Sequence, residues 1–466
     1  MQTKKIIGNI VLAMFVFFYV CNSAFGRDVL SNEELLKQIS KLRELVEKQG
    51  ETIEGQSQRI KELEAKHGIV ERKIEEHTRK ISELAPLDKD ISERLKGQLK
   101  RLETAGAIEV GAGITFVGQG TPNANAVGSN SNERIKDSRF GASYSADVEI
   151  AKAFGNYGFA FVHLETGDGE TIEGDLSLYP RCSVNRDADR AGNVVSLTEA
   201  WYEQYLFNDQ IIITGGKIDP TAYIDVNEFA NDETTQFLGS MFRNSPAIEF
   251  SDNSIGGRVY MTSVFFPAID LGAIYLEGGG NWDEVFSKPF LGVQLSFMPE
   301  KAFGLEKPMW RGKYRAYFWY NGTDHTSLKE ALKTEEKNFG FGLSCDQNIT
   351  DVFGIFERFG WQNPKVAVIE YHWSVGGQMT GKCWKREEDV VAIAVGQVIP
   401  GKDCRDTVSN YKNETHLEAY YAVKLNDHLT LTPDMQVIWE PDGGGTVSGK
   451  DSDTIFVYGV RGQVDF

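Results

Sequence analysis

Residues 455–466 alternate without a break. Phe456, Tyr458, Val460, Gly462, Val464 and Phe466 share one face, and Ile455, Val457, Gly459, Arg461, Gln463 and Asp465 share the other. An apolar face set against a largely polar one at period two suits a strand in a wall between lipid and water. The preceding segments repeat the pattern: Leu429, Leu431, Pro433, Met435, Val437 and Trp439 on one face, and before them Leu417, Ala419, Tyr421, Val423 and Leu425. The tight turn Asn426-Asp427-His428 joins the two. After residue 20 no uninterrupted apolar run reaches spanning length, so any further insertion into a membrane has to be as a closed barrel.

Reading backward, Gly, Asn, Asp and Pro clusters separate strands near 388–398, 367–378, 352–361, 337–347, 310–320, 288–298, 268–278 and 256–265. Earlier strands fall near 209–219, 195–206, 157–166, 139–152 and 106–118. The fold class expected for 106–466 is an all-β transmembrane barrel of about sixteen antiparallel strands, an even number that puts both ends on the periplasmic side. Phe466, with Val464 and Tyr458 on its face, resembles the C-terminal insertion signal of bacterial outer-membrane barrels. A soluble β-sandwich accounts for neither Phe466 nor the aromatics on the outer face.

The N-terminal quarter reads differently. Lys4 and Lys5, an apolar stretch from Ile6 to Val20 and small residues near Ala24 to Gly26 have the layout of a signal peptide over 1–26; an uncleaved anchor is the competing reading. Phe18-Tyr19-Val20 before Cys21 lacks the small residues of a lipid-attachment site. Over 30–104 an α-helical coiled coil is expected. Its a positions include Ile39, Val46, Ile53, Ile60, Ile74 and Ile81, its d positions Leu35, Leu42, Gln49, Gln56, Leu63 and His77. Pro86 breaks or kinks it. Gln at d argues against a dry dimer seam, so a periplasmic stalk forming a homotrimer is expected. A long helix packed elsewhere on the protein is the alternative.

Charge separates along these units. Of the net −18, the signal carries +2 and residues 27–105 balance, leaving −20 on residues 106–466. A nucleic-acid partner is excluded because a phosphate polymer needs a basic footprint. An acidic barrel instead points to neutral or cationic small-molecule solutes, since charges around a lumen set ion preference.

With the strands running alternately out and in, the connection after the fifth lies outside, from about Pro220 to Phe250. Loops this long are usually functional. Asp225, Asn227, Glu228, Asn231 and Asp232 are constriction candidates within it, and a capped helical turn is expected from Asp232. The competing reading folds this loop over the outer surface. On the walls, Glu199 and Glu203 share a face with Trp201 between them. Lys217 and Asp219 share a face opposite Ile212 and Ile218, and both are expected to point inward. Arg461, Glu418, Asp434 and Gln436 are further lumen candidates; solvated wall positions are the alternative for each. A sugar pore needs polar groups plus aromatic faces for pyranose rings.

The runs Glu199-Ala200-Trp201-Tyr202-Glu203, Gly216-Lys217-Ile218-Asp219-Pro220, Asn227 to Leu238 and Asn244-Ser245-Pro246-Ala247-Ile248 together resemble the OprB-like carbohydrate-selective porin family. Asp389 to Gly396, Glu418-Ala419-Tyr420-Tyr421 and Leu431 to Gln436 extend the likeness. It implies a sixteen-stranded passive channel in the bacterial outer membrane, contacting its lipids and admitting sugars or other small solutes. The coiled coil departs from the sugar-selective members. That leaves two alternatives open, a siderophore-uptake porin and a structural tether to peptidoglycan.

Four cysteines remain beyond the signal, and three pairings are possible. The topology places Cys182 and Cys404 outside and Cys345 and Cys383 near the periplasmic side, so Cys182–Cys404 with Cys345–Cys383 respects sidedness. Closeness in sequence suggests Cys383–Cys404 instead. No nucleophile motif, phosphate loop or metal-ligand spacing stands out, so no enzyme, metal or cofactor is expected.

Overall fold

The computed structural model describes residues 36, 37, 40, 41, 44, 108–125, 137–189, 193–263, 265–280, 282, 285–304, 307–407, 411–444 and 453–466. The chain divides into two units, 1–96 and 97–466. In the first, Leu36, Lys37, Ser40, Lys41 and Glu44 are helical. The signal peptide and the rest of the expected coiled coil lie outside the described residues.

The second unit is a closed barrel of sixteen strands in which every neighbour is antiparallel and the first strand pairs with the last. Its first half comprises β1 (Glu109–Thr121), β2 (Arg139–Ala153), β3 (Gly158–Glu170), β4 (Ser196–Leu206), β5 (Ile211–Ile218), β6 (Ser254–Thr262), β7 (Ile269–Glu277) and β8 (Pro289–Phe297). The second comprises β9 (Gly312–His325), β10 (Glu336–Asn348), β11 (Phe353–Gln362), β12 (Ile369–Gly381), β13 (Arg386–Pro400), β14 (Glu414–Asn426), β15 (Leu429–Trp439) and β16 (Ile455–Asp465). Closure leaves no strand edge with unpaired amides, which a bilayer requires.

Period two sorts the side chains. On β16, Phe456, Tyr458 and Val460 are about half exposed while Ile455 and Val457 are fully buried. β8 does the same, with Leu291, Val293 and Leu295 outside and Phe290, Gln294 and Ser296 inside. The same alternation on other strands, as at Phe318 on β9 and Phe341 and Leu343 on β10, turns large apolar side chains outward.

One end of the barrel carries short turns, such as 154–157, 207–210, 349–352 and 427–428. The other carries long connections, notably 171–195, 219–253, 401–413 and 440–454. Outer-membrane barrels keep short turns on the periplasmic side and long loops outside.

The connection 219–253 folds into the lumen. Phe229, Ala230, Phe237, Met241, Phe242 and Ala247 form one apolar cluster with Phe356, Ala392, Ala394, Val398 and Tyr420 of the wall. Ile224 and Ile248 form another with Ile218, Ile274, Phe290 and Trp319. Wall glycines make the seat. A Cβ at Gly354 would clash with the Phe229 ring, and one at Gly360 with Ser245 Oγ. Gly354→Ala therefore overpacks a filled site and is expected to cost about 1–3 kcal/mol. Measured as the midpoint of heat-induced gel-mobility change, the loss should be largely recovered in Gly354→Ala/Phe229→Ala. No recovery would argue against this contact.

The cysteine expectation is corrected: none of the four cysteines is joined in a disulfide. Cys345 lies on β10 and Cys383 in the β12–β13 turn, and β11 separates the two strands. Two strand spacings, roughly 10 Å, exceed the reach of a disulfide. Cys182 and Cys404 are both buried in the long connections, and burial pushes both thiols up, keeping them protonated.

Candidate functional site: the lumen and its inserted loop

The inserted loop begins where β5 ends on Ile218 and runs to Asn253. Asp219 caps its first turn, accepting from the Thr221 amide at 2.9 Å. Asp232 caps a second, accepting from Thr234 N at 2.9 Å, while Gln236 N donates to Asp232 O at 2.8 Å. Asx-type caps of this kind satisfy amides that no ladder can reach. A short helix, Ser240–Arg243, follows.

Charged side chains of the wall hold this loop. Arg358 on β11 sits 3.2 Å from Asp225, and both side chains are completely buried. Its guanidinium also donates to the carbonyls of Phe242, Asp225 and Ala230. Asp225, at φ 63°, accepts from Ser245 N at 2.7 Å, so one carboxylate ties both limbs of the loop to one cation. Glu418 on β14 accepts from the amides of Leu238 at 2.6 Å and Gly239 at 2.9 Å. Arg461 on β16 donates to the carbonyls of Glu233 and Gln236 at 2.7 and 2.8 Å. Asn227 donates to Ser344 Oγ at 3.2 Å, and Gln294 accepts from Asp225 N at 2.9 Å. The loop backbone takes up part of the hydrogen-bonding capacity of these buried groups, which offsets some of the cost of taking them out of water, while Asp225 Oδ1 and Arg461 Nε and Nη2 have no hydrogen-bond partner among the described residues.

The loop therefore packs on the β6–β16 side and leaves a cavity of about 1250 Å³ along β1–β5. Its lining runs from Asp252 and Gly280 among the long connections to Gly111 and Asp465 at the opposite strand ends, so it traverses the wall. Asp147, Glu149, Glu165, Asp187, Glu199, Asp219, Asp232, Glu233, Glu249, Asp252 and Asp465 line it, against Arg181, Arg186, Lys217 and Arg243. Arg243 Nε lies 2.8 Å from Glu233, Arg181 donates to Pro246 O at 2.8 Å, and Lys217 donates to Leu197 O at 2.6 Å. Among the described lining residues the aromatic rings are those of Phe250, Phe466 and the imidazole of His163.

The residues singled out from the sequence separate into groups. Glu199, Asp219 and Asp232 line the cavity; Glu199 Oε2 accepts from Trp201 Nε1 at 2.9 Å and Asp219 N at 3.3 Å. Trp201 packs in a tilted arrangement against Phe161, centroids 5.2 Å apart, and is not a lining residue. Glu203 faces inward elsewhere, 3.7 Å from Arg258 and accepting from Thr214 Oγ1 at 3.2 Å. Asp225, Asn227 and Arg461 are buried attachments of the loop. Glu228 is exposed while its amide donates to Asp346, and Asn231 N donates to Gln236 Oε1. Tyr458 and Phe466 lie exposed and Val464 half-exposed; Phe466 N donates to Ala112 O at 2.9 Å.

Lys217 differs from its expected orientation. It borders the cavity, but its ladder position puts it on the outer face with Ile213 and Gly215, and its ammonium donates to Leu197 O at 2.6 Å. Ile218 takes the inner face because the loop residues Ile224 and Ile248 cover it there. Arg358 was not legible as a site residue, although a lone charge at an inward position between Phe356 and Gly360 signals a polar partner inside the lumen.

Two carboxyls of the 171–195 connection titrate near neutrality. Burial raises Glu173 to about 7, even though Val184 N and Asn185 N donate to it. Burial likewise raises Asp187 to about 7, against the lowering effect of Ser145 Oγ at 2.8 Å. Both folded values lie above the ordinary carboxyl values of 4.5 and 3.8. The folded chain thus binds more protons than the unfolded one in between, and the stability they contribute is lost as pH rises through about 7. Since Asp187 lines the cavity, cation selectivity should rise between pH 6 and pH 8. Reversal potentials in a salt gradient check this, and Asp187→Asn should flatten the rise.

A family model described as carbohydrate-selective porin, OprB family, matches residues 139–466. Porin AaxA of Chlamydia abortus is 21% identical over 249 residues, 51% of this chain and 50% of that protein. An uncharacterized protein of Aquifex aeolicus is 24% identical over 227 residues, 48% of this chain and 59% of its own length. The chain thus spans about half the length of the curated relatives it matches. The high-pH structure of Pseudomonas putida OprB superimposes with a TM-score of 0.62 at 17% identity, covering 79% of this chain and 96% of that one.

Proposed function

The chain belongs to the carbohydrate-selective porin, OprB family, and on that premise we propose that it conducts small solutes passively across the outer membrane, favouring neutral or cationic ones. The traversing cavity with its acidic lining carries this reading. Carboxylates spaced along a passage lower the barrier for a cation and raise it for an anion, while polar groups that bind weakly let a solute leave. Sugars are included through the family, but a lining that offers only Phe250, Phe466 and the His163 imidazole as rings among the described residues gives pyranose faces little to slide on. Cationic solutes should therefore compete better for the lumen than neutral sugars. In planar bilayers the purified protein should give a steady open-channel current with cation-favouring reversal potential. A closed barrel without current would refute the reading.

Residues 30–104 are proposed as a periplasmic trimeric stalk, supported by ten heptads of a and d positions. Chemical cross-linking should give trimers that are lost when 30–104 are deleted; an unchanged oligomer would remove the stalk's role.

A further inference from the structure

A second cavity, about 300 Å³, lies beneath the inserted loop on the adjoining β6–β9 wall. Tyr223 of the loop forms its lid, and inward residues of β6, β8 and β9 its sides: Arg258, Tyr260, Gln294, Lys313 and Arg315. None of the described residues lining it is acidic, in contrast to the traversing passage.

The cations are held in place by carboxylates that do not reach the cavity surface. Lys313 lies 3.4 Å from Asp270, Arg315 pairs with Asp346, and Arg258 lies 3.7 Å from Glu203. That last distance exceeds hydrogen-bond length. Among the described residues the Arg258 guanidinium has no carboxylate or carbonyl within hydrogen-bond range, although aromatic faces bracket it, with Tyr223 at 4.2 Å and Tyr260 at 4.9 Å. Its planar fork is therefore oriented while its donors stay unspent, the arrangement that suits a two-point contact with an oxyanion. Gln294 spends its Oε1 on the Asp225 amide, which leaves its NH2 as a further donor. The volume sits at the small end of ligand pockets.

We propose that this pocket is an oxyanion subsite of the lumen that takes the carboxylate or phosphate group of a small solute. Arg258 makes the two-point contact, Lys313 adds a point charge, and the tyrosines exclude water from the pair. The subsite is independent of the solute preference proposed above, because open-channel current reads one and anion block reads the other.

The test uses the full chain in planar bilayers in potassium chloride, with succinate or inorganic phosphate added. Both anions are expected to reduce the current in a saturable way. Arg258→Gln should weaken that block by about tenfold, the equivalent of one charge-assisted contact, and glucose should give no Arg258-dependent block. If Arg258→Gln fails to assemble, Lys313→Gln serves in its place with the same expected direction. Tighter block by one of the two anions identifies which oxyanion the site prefers. Absence of saturable block, or equal block in wild type and both variants, overturns the proposal.

Discussion

Arg358→Leu should release the inserted loop and raise single-channel conductance. The substitution removes the cation paired with Asp225, a carboxylate with no exposed surface, and takes donors from three loop carbonyls at once. Breaking one partner of a fully buried pair costs about 3–5 kcal/mol, because the remaining charge stays uncompensated. The barrel ladder does not depend on this contact, so the loss should appear as local detachment rather than global unfolding. Protease sensitivity within 225–245 and conductance should rise together. In Arg358→Leu/Asp225→Leu the charge left behind is gone too, so the double variant should be less damaged than the single one, a coupling that a mutant cycle measures directly. Unchanged conductance and protease resistance in Arg358→Leu would show that the loop is held elsewhere.

This pin also marks where the sequence stopped being legible. Strand positions were readable because period two is local: each outward residue contacts lipid whatever lies across the barrel. Residues 455–466 and 429–439 are the plainest cases. The inward faces follow a different logic, because part of the lumen is filled by the chain itself. Ile218 looked lipid-facing from its neighbours, yet it is covered by Ile224 and Ile248, which is why Lys217 was turned the wrong way. Likewise Asp225 and Arg358 are 133 residues apart, and no local pattern links them. The acidic character of Asp225 suggested a solute contact, whereas its partner is the wall residue Arg358. The glycines at 354 and 360 were the readable trace of that footprint, since a lumen wall facing water has no reason to omit a side chain.

The largest effect on selectivity is expected from lining acids that do not hold the loop. Glu149, near one mouth, and Asp252, near the other, are exposed, and Glu165 lies on β3 between them. A carboxylate about 5 Å from a passing cation contributes on the order of 0.8 kcal/mol in water. Several in series therefore set the ratio of cation to anion permeability without any one of them being decisive. Glu149→Lys/Glu165→Lys/Asp252→Lys would leave eight acids facing seven bases where eleven now face four. The reversal potential in a potassium chloride gradient should then fall close to zero, with single substitutions giving intermediate steps. Because ions screen beyond about 10 Å at 0.1 M and about 3 Å at 1 M, the difference between wild type and the triple variant should shrink as salt rises. A wild-type selectivity that survives both the triple substitution and 1 M salt would place the filter in the loop-anchoring groups instead, and would make Asp232 and Glu233 the next residues to change.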